Sequence, residues 1–260
     1  MLALKLMIVP GFVLLITLAG RRWGPSVAGW LAGLPVVAGP ILFFIATEQG
    51  AAFAAHAATS SLSAVLASAA YSVAYAHVAQ RAAWPVAIAA GLAGWAAMAV
   101  GLSRLPASLL LSSGIAVVTL VGVQRLFPRV QAPPASSVMN PIELALRMSA
   151  GALLTVVVTL AASSLGQAWS GLLSVFPVMG IVLSVFSHRT FGAAYAALML
   201  KGMMAGMFSF AGFCAALSLA LPDAGVAVAF VLAVAVAAGI QLMTRRRSTR
   251  RGAALIQEKA

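Results

Sequence analysis

The sequence predicts an all-α fold, that of a polytopic helical membrane protein with about nine transmembrane helices. Three observations predict it: 63% of the 260 residues are hydrophobic, only 8% are charged, and the mean hydropathy is +1.06. A soluble domain carries about 25% charged residues, so this chain is too apolar to be one. Soluble enzymes and nucleic-acid-binding domains are therefore excluded. Secreted disulfide scaffolds are excluded as well, because Cys214 is the sole cysteine.

Nine segments are long and apolar enough to cross a hydrocarbon core that is about 30 Å thick. The first segment lacks a basic leader and is followed by Arg21 and Arg22 instead of a small-residue cleavage site. We therefore interpret it as a span and not as a signal peptide. The nine predicted spans are approximately residues 3–20, 25–46, 51–79, 83–102, 106–124, 141–163, 168–187, 191–220 and 223–243.

The placement of basic residues predicts the orientation of these spans. Four acids face sixteen lysines and arginines, for a net charge of +12. With the N-terminus outside and the C-terminus cytoplasmic, eleven arginines lie inside, and only Lys5 and Arg104 lie outside. The surplus of positive charge is therefore explained by topology, and no nucleic-acid partner is expected. A patch for anionic lipid or nucleic acid in the basic tail is the alternative interpretation.

An internal repeat divides the chain. Shifting the sequence on itself by 142 positions gives an ungapped match that pairs Pro35 with Pro177 and Gly50 with Gly192. Because the first half holds an odd number of spans, the second half inserts upside down, which is the layout of many secondary transporters. Shared membrane composition alone is the alternative. The predicted divisions are repeat 1 at 1–127, a cytoplasmic linker at 128–140, repeat 2 at 141–243 and a basic cytoplasmic tail at 244–260.

Two stretches carry a resemblance to a known family. They are GWLAGLPVVAGPILFFIATEQGAAFAAHA, which begins at Gly29, and SGLLSVFPVMGIVLSVFSHRTFGAAYAALMLKGMMAG, which begins at Ser170. Each resembles the GlpM/YdgC family of small bacterial inner-membrane proteins, whose members hold about one such unit. The resemblance implies a location in the bacterial inner membrane and a link to envelope or exopolysaccharide physiology, without a defined chemistry. This chain departs from the family by carrying two units.

Prolines and glycines interrupt two repeat-related spans, the second and the seventh. Pro35 and Gly39 lie within LPVVAGP, and Pro177 and Gly180 lie within FPVMG. Proline removes a backbone donor and clashes with the preceding turn, so both helices are expected to kink or break. A crossing of broken helices would expose N–H groups that favour an anion. Ordinary proline kinks are the alternative.

Lys201, in the eighth predicted span, is the most informative side chain. Counted from the turn before it, this lysine lies about 15 Å deep, where a charge is costly and usually has a function. A snorkelling lysine is the alternative. Thr59 is the repeat counterpart of Lys201, and Thr59, Ser60 and His56 share one polar helix face, for which hydrogen bonding between helices is the plainer interpretation. Ser184 completes the predicted substrate-binding set.

Charged residues also lie near the ends of the predicted spans. Glu48 and Arg189 follow the two interrupted helices, as gating residues or simply as solvated turn residues. Glu143 and Arg147 are spaced for a helical ion pair at the rim.

The sequence therefore predicts a secondary transporter that moves a small, anionic solute by alternating access. No catalytic residue, metal site or cofactor is predicted. The expected partners are membrane lipids and a small-molecule solute, and homo-oligomerisation is left open. A non-transporting scaffold or accessory protein in envelope polysaccharide or lipid assembly is the main alternative. A lipid-directed enzyme with His56 as base is a third hypothesis.

Overall fold

The computed structural model of the protein describes residues 2–36, 38–106, 108–131, 141–164 and 176–257. All regular secondary structure in these ranges is helical, which confirms the predicted all-α class. The helices are α1 (Leu2–Trp23), α2 (Pro25–Ala32), α3 (Ala38–Gln49), α4 (Ala51–Ser63), α5 (Val65–Ala79), α6 (Trp84–Leu102), α7 (Leu109–Leu126), α8 (Pro141–Ser164), α9 (Val178–Phe191), α10 (Ala193–Ala224) and α11 (Val226–Gln257).

Six segments of the described chain are long and apolar enough to cross a membrane, as expected for a polytopic membrane protein. The number nine stays a prediction, because much of the predicted seventh span and most of the predicted linker lie outside the described residues. Helix α11 continues past the predicted end of the last span into the basic tail. The six segments are Ala51–Ala79, Trp84–Leu102, Leu109–Leu126, Pro141–Val158, Ala193–Ala224 and Val226–Thr244.

The second predicted span is broken around Pro35, as the sequence predicts. Helix α2 ends at Ala32, and α3 begins at Ala38. The amide of Gly39 donates to the carbonyl of Pro35 at 2.7 Å, which starts the new helix. Pro40 lies in the first turn of α3, where its missing N–H removes no intrahelical bond. The span is therefore two half-helices instead of one kinked helix.

Two glycines in a backbone conformation that other residues rarely adopt connect α3 to α4 and α9 to α10. Gly50 joins α3 to α4 with φ 92° and ψ 161°. Gly192 joins α9 to α10 with φ 86° and ψ 172°. This region is essentially restricted to glycine, because a Cβ would clash with the backbone. The two glycines are also partners in the 142-position match, so equivalent sequence positions make the same kind of turn.

Helices α2 and α10 cross with their backbones in direct contact. A Cβ added at Gly29 or Gly33 would overlap the backbone of α10, and one added at Gly202 or Gly206 would overlap the backbone of α2. Each helix thus presents a pair of glycines four residues apart, the spacing that allows close approach of membrane helices. The core of the protein lies along α10, whose buried residues extend from Tyr195 to Leu221.

Several helix pairs occur in two copies. Helix α5 packs against α6 as α10 packs against α11, and α3 contacts α4 as α9 contacts α10. Helix α3 touches α11, and α9 correspondingly touches α6. Helices α1 and α8 pack against each other, and α4 and α5 lie against α10. These duplicated helix pairs lie at positions that the 142-position match relates to each other.

Candidate functional site

Two half-helices begin inside the bundle, and each begins beside an aromatic side chain. An added Cβ at Gly39, in the first turn of α3, would lie 3.7 Å from Cζ of Phe213 on α10. An added Cβ at Gly180, in the first turn of α9, would lie 3.4 Å from Cε1 of Tyr71 on α5. Pro177 is buried directly before α9. Each helix start therefore rests on the long helix of the other half of the chain.

A buried polar ladder connects α5 to α9. The hydroxyl of Tyr71 is hydrogen-bonded to Oγ of Ser184 at 3.0 Å, and the hydroxyl of Tyr75 is hydrogen-bonded to Nδ1 of His188 at 3.2 Å. Both tyrosines and Ser184 are fully buried, whereas His188 is half-buried. Ser184 Oγ also donates to the carbonyl of Ile181 at 3.2 Å. The ladder therefore leads from the interior start of α9 towards its other end, near Phe191.

Helical spacing explains why these four side chains meet. Tyr71 and Tyr75 are four residues apart on α5, and Ser184 and His188 are four apart on α9, so each pair lies on one face of its helix. Hydroxyl and imidazole groups donate and accept hydrogen bonds, so the ladder has the chemistry to pass a proton or to bond a polar solute that replaces one of its partners.

Sequence reasoning identified only Ser184 among these four residues. Both four-residue spacings are present in the sequence, but nothing in the sequence pairs one with the other. That pairing requires knowledge that α5 and α9 are neighbours, which is a property of the tertiary structure.

Lys201 lies beside the ends of two other helices. Its carbonyl accepts a hydrogen bond from Nε2 of Gln124 at 3.4 Å, two residues before the end of α7. The neighbouring Gly202 lies against the backbone of Ser26, the second residue of α2. Lys201 is itself half-buried. Its depth in the membrane and its role in the site stay predictions, and so does the snorkelling alternative.

The polar face on α4 does not meet Lys201. Thr59 is buried, donates to the carbonyl of Ala55 at 3.0 Å and is hydrogen-bonded to Ser218 Oγ at 2.7 Å. Ser218 is seventeen residues beyond Lys201 on α10, or about 25 Å away along the helix. Thr59 therefore links two helices, which is the structural interpretation that the sequence allowed.

The remaining predicted site residues lie at the surface or beside the polar face. His56 is exposed on α4, and Ser60 is half-buried next to Thr59. Glu48 and Arg189 are both exposed, and the guanidinium of Arg189 lies 5.7 Å from the centre of the Trp84 ring. The structure does not bring these residues together with the ladder. A gating role for Glu48 and Arg189 stays a prediction.

Metal coordination has no candidate in the described part of the chain. Groups of three or more His, Cys, Asp or Glu side chains that could hold a metal do not occur there. No protein family, curated protein or solved structure matches the chain. The candidate site is therefore defined by its own geometry, as the interior starts of α3 and α9 together with the ladder between α5 and α9.

Proposed function

We propose that this protein is a small secondary transporter built from two inverted repeats, which moves a small anionic solute across a bacterial inner membrane by alternating access. The observation that carries the proposal is the repeat-related placement of the interrupted helices. Pro35 and Pro177 are partners in the 142-position match and precede the interior starts of α3 and α9. Transporters of this architecture hold their substrate near the bilayer midplane, at the ends of such half-helices.

The side chains at the two helix starts support a pseudo-two-fold axis. Tyr71, which flanks the start of α9, and Phe213, which flanks the start of α3, are 142 positions apart. The two halves of the chain thus use equivalent positions to cover equivalent helix starts. The duplicated helix pairs and the shared conformation of Gly50 and Gly192 are further support.

Opposite directions of α4–α5 and α10 are consistent with inversion. Thr59 on α4 is bonded to Ser218, near the end of α10, whereas Tyr71 on α5 and Met203, near the start of α10, both line Gly180. Residues further along α4–α5 therefore contact residues closer to the start of α10. Two repeats inserted in opposite orientations produce this antiparallel packing.

In this proposal the ladder between α5 and α9 forms the polar side of the solute pathway. Alternating access moves one repeat against the other around the two helix starts, while the glycine contact of α2 with α10 stays closed. Lys201 serves as charge partner of the anion or as proton-coupling group, and Glu48 and Arg189 stay candidate gating residues. Transport of an anion needs no charge at the centre when helix N-termini supply N–H donors.

Reconstituted flux tests the proposal directly. The purified full chain is placed in liposomes, and uptake of acetate, chloride, nitrate, phosphate and sulfate is followed under an imposed gradient. We expect saturable uptake of at least one of these anions. Tyr71→Phe removes the hydroxyl from the ladder and should lower that uptake several-fold, because the polar side of the pathway loses a donor.

A tyrosine that takes no part in the ladder supplies the matched control for this experiment. Tyr195→Phe removes a buried hydroxyl from α10 and should leave uptake near that of the unmodified protein. If none of the five anions crosses with the folded protein present, the transporter proposal is wrong. Equal losses of anion uptake in the two variants would show that the ladder is not part of the solute pathway.

One observation favours the alternative, a non-transporting scaffold or accessory protein of the envelope. The backbone contact between α2 and α10 leaves no room for a side chain, so this crossing is closely packed. A rigid core suits a protein whose role is to hold partners. The same flux assay separates the two functions, because a scaffold moves no solute.

A further inference from the structure

Trp95 carries a buried polar group that the described part of the chain does not satisfy. The indole lies on α6 with 7% of its surface exposed, and its Nε1 has no hydrogen-bond partner within the described part of the chain. Buried tryptophans usually donate this N–H, and a buried donor without an acceptor is destabilising. An acceptor from outside the chain would resolve the deficit.

The unsatisfied indole lies at the start of a half-helix. The Trp95 ring packs edge-to-face on Phe176, with ring centres 5.0 Å apart and planes at 75°. Phe176 directly precedes Pro177, the residue that caps α9. Phe176 also supplies the carbonyl that accepts the N–H of Val178 at 2.7 Å. The tryptophan is thus placed against the point where α9 begins.

Tyr71 connects the same face of α6 to the same helix start. One turn before Trp95, Gly91 lies so close to the Tyr71 ring that an added Cβ would be 2.7 Å from its Cε2. The opposite edge of that ring lies beside Gly180, in the first turn of α9. Trp95 and Tyr71 therefore lie along the same part of α6, and both contact residues at the start of α9.

This position offers hydrogen-bond donors. The amides of Met179 and Gly180 belong to the first turn of α9, where a helix lacks intrahelical acceptors and its dipole favours negative charge. With fourteen residues, α9 is long enough for this effect. Phe176, Tyr71, Met203 and the nearby glycines are uncharged. A ligand with one negative charge suits such a site, because a second charge would lack compensation.

The repeat-related position in the other half has lost these donors. Ala237, Phe213 and Leu42 are the counterparts of Trp95, Tyr71 and Ser184, and all three are buried and apolar. At the start of α3, Pro40 also contributes no N–H. Duplication alone would leave two similar positions, at the starts of α3 and α9. Because the polar groups occur only at the start of α9, that position is the candidate for binding an anion.

We propose that a small monovalent anion binds at the start of α9, where Trp95 Nε1 and the first-turn amides donate hydrogen bonds to it. The site lies eleven residues into α6, about 16 Å from the start of that helix and about 10 Å from its end. The proposal rests on the proposed transporter only in naming this anion as the transported solute. Binding itself does not depend on transport.

Calorimetric titration of the full chain in detergent tests the site. The probes are sodium acetate, chloride and nitrate, with sulfate as the divalent comparison. We expect at least one monovalent anion to bind and sulfate to bind more weakly. Trp95→Phe keeps the ring contact with Phe176 but removes the N–H, and should weaken affinity about tenfold or more, the effect of a lost hydrogen bond to a charge.

Trp30→Phe is the matched control. Trp30 Nε1 already donates to Thr244 Oγ1 at 3.1 Å, so this variant should bind the anion normally. Without anion, Trp95→Phe should unfold at the same temperature as the unmodified protein or higher, because an unsatisfied donor has been removed. If Trp95 had a packing role alone, Trp95→Phe would instead unfold at a lower temperature than the unmodified protein. In the unmodified protein labelled with ¹⁵N-tryptophan, the Trp95 indole resonance should shift as the anion is added.

Three results would overturn the proposal: no binding of any monovalent anion, equal or tighter binding of sulfate, or unchanged affinity in Trp95→Phe. An indole resonance that does not move with bound anion would also overturn it. These results are distinct from failure of the transporter proposal. Unchanged flux in Trp95→Phe keeps transport but shows that the bound anion is not the transported solute, whereas anion binding without flux keeps the site and removes transport.

Discussion

Among the residues that the structure describes, Arg147 is a buried arginine, with only 2% of its surface exposed. Its guanidinium lies 5.6 Å from the ring centre of Phe186 and 5.9 Å from that of Phe191. Nε donates to Oε1 of Glu143 at 3.0 Å, and the hydroxyl of Thr190 donates to the same oxygen. The helical ion pair predicted from the sequence is confirmed. The structure adds that the pair fastens α8 to α9.

Removing the acid of this pair should be costly. In Glu143→Gln the buried guanidinium keeps its charge but loses its counter-charge, and we expect the free energy of unfolding to fall by about 3 kcal/mol. Unfolding in mixed detergent micelles measures this loss. Glu48→Gln removes an exposed acid and should change stability by less than about 0.5 kcal/mol. Equal stabilities of the two variants would contradict the proposed role of the buried pair.

Helix α10 organises the bundle through its glycine contact with α2. Gly206 lies against the carbonyl of Trp30, and Gly33 lies against Gly206 itself. In a membrane, where lipid is as apolar as the side chains, close backbone packing is a main source of helix association. The contact also holds α2, and with it the break at Pro35, in a set position beside α10. The element that precedes the broken segment is therefore anchored.

Gly206→Ala should separate α2 from α10. The added methyl group has no space, and overpacking of this kind destabilises by about 1–3 kcal/mol. Thermal unfolding in detergent, followed by helical circular dichroism, measures the change. Gly122→Ala on α7 is the control, since an added Cβ there meets no atom within 4 Å. It should be neutral or slightly stabilising, because alanine favours helix more than glycine does. A Gly206→Ala protein more stable than the Gly122→Ala protein would contradict the close contact between α2 and α10.

For the whole molecule, an exterior of apolar side chains faces lipid and a small set of polar contacts holds the interior. Leu110 and Val118 on α7 and Val231 on α11 are largely exposed, as lipid-facing residues should be. Hydrogen bonds between helices, such as Ser209 to Gln241 Oε1 at 2.6 Å, are buried. Orientation in the bilayer is not determined by such packing. It depends on the loops, and the distribution of arginines predicts it.

The predicted orientation can be checked with one pair of loop cysteines in the full chain. In a Cys214→Ala background, Arg104→Cys should react with a membrane-impermeant thiol reagent added to intact spheroplasts, because its loop is predicted to be outside. Arg81→Cys, also in an exposed connection, should react only after lysis. Labelling of both or neither in intact cells would contradict the single orientation that the basic residues predict.

How far the sequence leads is shown best by comparing Pro35 with Lys201. An interruption at Pro35 was predictable, because proline lacks an N–H and clashes with the preceding turn wherever the helix lies, whereas a break instead of a kink was not. The neighbours of Lys201 were not predictable, since they come from α7 and α2, which are distant in the sequence. Arg147 shows the converse: its ion pair followed from spacing along one helix, whereas its burial follows from the aromatic rings of α9.

The sequence by itself determined the helical membrane class, the interruption at Pro35 and the 142-position match, because composition, backbone chemistry and register are properties of the linear chain. The tertiary structure decided which side chains meet. Only the packing of α5 against α9 joins Tyr71 to Ser184, and only the packing of α6 at the start of α9 buries the Trp95 N–H without a partner among the described residues. The physical reason is that hydrogen bonds between helices depend on distances across the bundle, which spacing along one helix does not contain.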